Sequence, residues 1–169
     1  PVKNLSISRN IGIKAASGDL VAFIDDDAIP FFDWFENLVN YFNSTHSFVA
    51  GAGGPTYYAG TLNFQARDIF VDHFGSGIVD PNDNIKNDPE YNRTLLGTNS
   101  VFRRDYLIEC GGFDEEYDYF LDETDLCFRL IKNGFSINHC ADAYLRHEFA
   151  QSENRTNKYG YNWYSIVKN

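Results

Sequence analysis

The sequence predicts an α/β layer architecture, and three observations carry that expectation. Short continuous apolar runs alternate with segments of helical spacing, as buried strands alternate with helices in layered folds. Glycine-containing stops punctuate them at Gly18, at Gly53-Gly54-Pro55 and at Asn133-Gly134. Three adjacent acids, Asp25, Asp26 and Asp27, end the first apolar run. In open α/β sheets the carboxyl ends of strands are where ligands sit.

Residues 5–16 are expected to form a helix that stops at Gly18, and residues 20–24 a buried parallel strand. Pro30 is placed to open a helix over about residues 31–42. Residues 48–52 read as a second buried strand, residues 62–74 as a helix, and the polar stretch 75–93 as a long loop. Residues 95–102 are strand-like with an interruption at Gly97, and Asp105 is placed to cap a short helix that stops at Gly111-Gly112. Residues 123–132 read as a helix with Asp122 as its cap, followed by short strands at 135–139 and 143–147.

Composition excludes some functions. A formal charge of -10 with no basic stripe argues against nucleic-acid binding. An acidic protein still reaches a phosphorylated ligand when a divalent cation lies between them. Aromatic residues make up 17% of the chain, which a packed core explains first and sugar stacking second. Three cysteines without a CxxC pair form neither a disulfide framework nor a zinc cage. Cys127 and Cys140 read as small buried residues, in keeping with a reducing compartment. No apolar stretch is long enough to span a bilayer, and no signal peptide is expected within it. The chain begins at Pro1 and has no Met, so it is expected to be a piece of a longer protein.

The acids carry the chemistry. Strand alternation places Asp25 and Asp27 on one side and Asp26 on the other. Three neighbouring carboxylates repel one another unless a cation compensates. A hard divalent ion would accept their oxygens and keep positions open for phosphate. A solvated acidic loop at a helix start is the plainer alternative. Asp122, Glu123 and Asp125 form a second group at a helix start, where the dipole favours each anion by about 0.3–1 kcal/mol. Asp122 and Asp125 fit capping roles, and Arg129 is spaced to pair with Asp125. Glu123 is harder to explain as a cap and is a candidate to take a proton from a hydroxyl nucleophile. His147, at the end of the last strand, is a candidate third metal ligand.

Taken in order, these motifs resemble family 2 glycosyltransferases of the GT-A fold. Residues 8–19 resemble the family's helix before the metal strand, and residues 21–27 its DXD motif. Gly97, Thr98 and Asn99, followed by Phe102 and Arg103, resemble the strand lining the donor sugar. Residues 111–114 lead into residues 122–126, which resemble the ED-type motif with both acids interchanged. The resemblance implies a Rossmann-like mixed sheet flanked by helices, truncated before the strands that hold the nucleotide base. It makes residues 1–150 the metal-binding and catalytic part of one domain, and 151–169 a tail leading to a further segment. It implies a metal-dependent, inverting transfer from a UDP-, GDP- or dTDP-linked sugar to a saccharide, lipid-linked or protein acceptor. Asp25 and Asp26 would contact the donor with Gly97, Thr98 and Asn99, while Asp27, Asp25 and His147 would hold Mn2+ or Mg2+. Glu123 would occupy the position of the general base, where the family usually has Asp, with Asp122 as its rival. The implied location is cytoplasmic, with peripheral contact at the inner face of the membrane compatible. Tyr159, Tyr161, Trp163 and Tyr164 are expected to pack on a further C-terminal segment, or else to meet the acceptor or a membrane surface. Two rival readings remain: a nucleotidyltransferase using the same metal logic, and a non-catalytic carbohydrate-binding or scaffold module.

Overall fold

Capping, apolar spacing and strand pairing place the elements around two buried cores in a computed structural model that describes residues 4–117 and 120–148. Helix α1 (Leu5–Ala15) begins where the Asn4 side chain accepts the Ile7 backbone N–H. Strand β1 (Leu20–Phe23) follows, then an acidic turn, strand β2 (Ala28–Pro30) and helix α2 (Trp34–Ser44). Helix α2 buries Trp34, Leu38 and Phe42, one residue per turn along a single stripe. Strand β3 (Val49–Gly53) is buried throughout. A Cβ at Gly51 would come within 2.6 Å of the Phe102 ring, so the close approach of that ring requires glycine. Strands β4 (Thr56–Tyr58), β5 (Phe64–Ala66), β6 (Ile69–Asp72) and β7 (Gly77–Val79) come next. The remaining elements are α3 (Asp83–Lys86), β8 (Tyr91–Thr94), β9 (Ser100–Arg103), α4 (Arg104–Glu109), α5 (Asp122–Lys132), β10 (Ser136–His139) and β11 (Leu145–His147).

Among the described residues three sheets result, with orders β1-β9-β3-β10, β2-β11-β4-β5 and β7-β6-β8. The first two are mixed: β3 pairs β10 and β4 pairs β11 in parallel, and their other pairings are antiparallel. One core joins Ile13 of α1, Phe102 of β9 and Leu126, Cys127 and Leu130 of α5. The other joins α2 to β3 and β11 through Trp34, Leu38, Val49 and Leu145. Cys127 and Cys140 are buried, as expected for small apolar side chains.

Several expectations need correction. Strand β1 runs antiparallel to β9 and lies at the border of its sheet among the described residues. Pro30 ends β2 rather than opening a helix, and α2 starts four residues later. The stretch 62–74 forms β5 and β6, not a helix. The Asp80 carboxylate accepts the N–H groups of Arg67 and Asp68 and turns the chain there, and pairing with β7 and β8 then fixes β6 as a strand. The polar stretch 75–93 holds β7, α3 and most of β8 instead of a long loop. Its polar residues are turn and cap formers: Asp72 accepts from the N–H groups of Phe74 and Ser76, and Asn82 caps α3. The tail aromatics from Tyr159 to Tyr164 lie outside the described residues.

Candidate active site

The acidic turn sits between β1 and β2 and is tied to the end of β11. The Glu148 N–H donates to the Asp27 carbonyl at 2.7 Å, and the Ala28 N–H donates to the Asp25 carbonyl at 3.0 Å. Pairing of β11 with β2 sets His147 opposite Ala28, so the imidazole is delivered to the acids by register. His147 Nε2 lies 3.1 Å from Asp27 Oδ1 and 3.8 Å from Asp25 Oδ2. Asp25, Asp27 and His147 each offer one ligand atom, all within 4.8 Å of one another. Asp26 is exposed and lies in the turn after β1, so the strand alternation expected for the three acids does not apply there. Burial pushes the Asp25 carboxyl above its ordinary value, and the charges of Arg9 and His147 work against that. Two carboxylate oxygens and one imidazole nitrogen at this spacing form a donor set able to hold a metal ion. The buried imidazole makes its other ring contact to Gln65, with Nδ1 3.1 Å from Oε1.

The second acidic group is arranged differently. Helix α5 starts after Leu121, whose φ of 65° is left-handed, and among the described residues no side chain caps it. The expected capping role of Asp122 is therefore corrected. Its fully buried carboxylate turns away to form an ion pair with the Arg9 guanidinium of α1. Arg9 is itself 8% exposed and lies over the rings of Phe113 and Phe23, at 5.1 and 5.9 Å. The same guanidinium reaches to 3.7 Å from Glu123 Oε2. Glu123 keeps 23% of its side chain exposed. Its carboxyl is pushed up to about 8, first by burial and then by the charge of Asp122. Asp125 pairs with Arg129 at 2.8 Å, as the helical spacing predicted.

Both groups face one cavity of about 970 Å³, whose wall includes Asp25, Asp26, Asp27, Gly97, Thr98, Glu123 and His147. Gly97 leaves room for the acid group: a Cβ there would lie 2.6 Å from Arg9 Nη2 and 3.5 Å from Glu123 Oε2. Thr98 lies beside Asp25. Asn99 and Asp122 stand behind this wall. The Asn99 amide is spent internally, accepting from Trp34 Nε1 at 2.9 Å and donating to the carbonyls of Gly54 and Ala143, each at 3.0 Å. Arg9 and Gln65, both on the wall, were not anticipated from sequence. A signal for Arg9 existed in the polar run Ser8-Arg9-Asn10 between the apolar residues Ile7 and Ile11; Gln65 carried none.

Comparison with known proteins decides the family. A profile of glycosyl transferase family 2 matches residues 2–111, more than half of the chain. The chain belongs to that family. This sets aside the nucleotidyltransferase reading. A glucosyl-dolichyl phosphate glucuronosyltransferase of Haloferax volcanii is 32% identical over 118 residues, 66% of this chain and 35% of that protein. The O-antigen chain rhamnosyltransferase WbaN of Salmonella anatum is 27% identical over 149 residues, 83% of this chain and 44% of that protein. The chain thus spans between about a third and under a half of the length of these relatives. Among solved structures, GalNAc-T7 with UDP, GalNAc and Mn2+ aligns with a TM-score of 0.68 at 16% identity, covering 89% of this chain and 31% of that one. The mannosyltransferase PcManGT from Pyrobaculum calidifontis with GDP-Man and Mn2+ aligns at 0.59 and 16% identity, covering 90% and 38%. At that identity the likeness shows the fold, which is GT-A. No helix among the described residues is long and apolar enough to cross a membrane.

Proposed function

We propose that residues 1–150 form the metal-binding and catalytic part of a glycosyltransferase that moves a sugar from a nucleoside diphosphate to an acceptor hydroxyl, with inversion. The observation that carries this reading is the meeting of two acidic groups in one cavity, one joined by an imidazole and the other by a guanidinium. Asp25, Asp27 and His147 would hold Mn2+ or Mg2+. Bound there, the ion would supply Lewis-acid stabilisation of the negative charge that develops on the departing diphosphate. The Mn2+ in the UDP and GDP-Man complexes of the two structural neighbours supports that choice of ion.

Glu123 is the general base. It lies on the cavity wall, whereas Asp122 is sealed behind it. Asp122 also stays paired with Arg9, which satisfies its charge and leaves Glu123 as the carboxylate able to receive a proton. A carboxyl raised to about 8 is a stronger base than an ordinary glutamate once ionised. Asp26, Gly97 and Thr98 line the route of the donor, and Asn99 supports that wall from behind. A lipid-linked saccharide acceptor fits the name of one relative, a glucosyl-dolichyl phosphate glucuronosyltransferase, and a saccharide acceptor fits that of the O-antigen chain rhamnosyltransferase.

The test compares Glu123→Gln with Asp122→Asn in sugar transfer from UDP- and GDP-sugars. Glu123→Gln is expected to lower the rate by roughly 10²–10⁴ without loss of donor binding. A Glu123→Gln protein that transfers sugar at the wild-type rate would overturn the assignment.

A further inference from the structure

We propose that Gln65 is a positioning residue that sets the tautomer of His147 for cation binding, and that a β-bulge delivers it there. The inference rests on the metal reading above and extends it to a residue outside the acidic groups.

The register of β4 with β5 is interrupted. Thr56 pairs with Ala66 and Tyr57 pairs with Phe64, so Gln65 is the extra residue between them. Bulged residues re-aim a side chain, and they are over-represented beside active sites. Strand β5 is two strands away from β11 in the order β2-β11-β4-β5. Neighbouring strands lie about 4.8 Å apart, so only a long side chain leaving the ladder spans that gap. Gln65 does so, reaches the cavity wall, and places Oε1 3.1 Å from His147 Nδ1.

A neutral imidazole has one ring proton, and among the described residues two acceptors at hydrogen-bond distance compete for it. Asp27 Oδ1 lies 3.1 Å from Nε2, and Gln65 Oε1 lies 3.1 Å from Nδ1. With the proton on Nε2, that nitrogen faces the acids as a donor and offers no lone pair to a cation. With the proton on Nδ1, the Nε2 lone pair points into the donor set with Asp25 and Asp27. The Gln65 oxygen holds the proton on Nδ1 and so favours the ligating form. The change of tautomer is balanced, since one proton leaves Nε2 and one is taken up at Nδ1.

Calorimetric titration of the full chain with Mn2+ alone tests this. Gln65→Leu removes the acceptor and is expected to weaken Mn2+ binding by about 10–100-fold, the usual range for such outer partners. Gln65→Glu keeps an oxygen at that place and is expected to bind Mn2+ at least as well as the wild type. Nitrogen-15 spectra of the Mg2+-loaded wild type should show the His147 proton on Nδ1. Wild-type affinity in Gln65→Leu, or equal losses in the Leu and Glu variants, would each overturn the role of Gln65 alone, whereas a proton on Nε2 in the loaded protein would also remove His147 from the ligand set. A wild type that binds no Mn2+ would overturn the metal reading itself.

Discussion

The two acidic groups that share the cavity differ in what neutralises them. At the β1–β2 turn, Asp25 and Asp27 converge on an imidazole and stay partly open to solvent. At the start of α5, Asp122 is fully buried against a guanidinium that also stacks on two aromatic rings. On the proposed reading one group receives a cation from outside, whereas the other contains its own. The first should therefore matter for ligands and little for stability, while the second holds the fold together and sets the base.

Removing Arg9 should break that comparison most severely. Arg9→Met leaves the Asp122 carboxylate buried without its counter-charge, a change that typically costs about 3–5 kcal/mol. By contrast, Asp27→Asn keeps an oxygen beside His147 and relieves repulsion between neighbouring acids, so its loss of stability should be well below that of Arg9→Met. Denaturant unfolding of both variants measures the difference, and equal losses would erase the distinction between the groups.

A smaller effect is expected at Gly97. Gly97→Ala puts a Cβ 2.6 Å from Arg9 Nη2. Arg9 is pinned by Asp122 and cannot retreat freely, so overpacking of about 1–3 kcal/mol should follow. The clash also lies beside Glu123, so transfer should fall more than donor binding does. Parallel measurement of rate and donor affinity would show whether this glycine serves the base or only the donor.

The pH dependence sharpens the contrast at the smallest scale. The Glu123 carboxyl is raised to about 8, so its ionised, proton-accepting form increases as pH rises through about 8. Transfer by the free enzyme should rise over the same range, and a cation in the neighbouring site should move the rise to lower pH. The stability effect has the opposite sign. Between the ordinary glutamate range and about 8 the unfolded chain loses this proton while the folded chain keeps it, so stability declines with pH there. Glu123→Gln should remove the decline, so that the variant gains on the wild type as pH rises toward 8. Thermal melts across pH check this directly.

The physics of each part decides how much of it was legible in the sequence. The acidic turn stood out because three carboxylates at a strand end are costly without compensation. His147 could be placed near it because strands end where ligands sit. The division of labour at α5 was not legible. It depends on Arg9, 113 positions from Asp122, and no local pattern distinguishes a capping aspartate from one that turns inward to a guanidinium. Gln65 was invisible because its position comes from a bulge, which moves a side chain without a sequence signature. The helices α1, α2 and α5 were readable from spacing and stops, whereas residues 62–93 were misread. Their strands are short, and Asp72 and Asp80 decide their turns by accepting backbone N–H groups, which apolar spacing does not reveal.

The separation of the two groups is tested most directly by calorimetry with UDP and GDP, with and without Mn2+, on the wild type, Asp27→Ala and Glu123→Gln. Asp27→Ala should lose the Mn2+-dependent binding, and Glu123→Gln should retain it at wild-type affinity. Mn2+-dependent binding that survives in Asp27→Ala, or disappears in Glu123→Gln, would contradict the assignment of cation and proton to different acids.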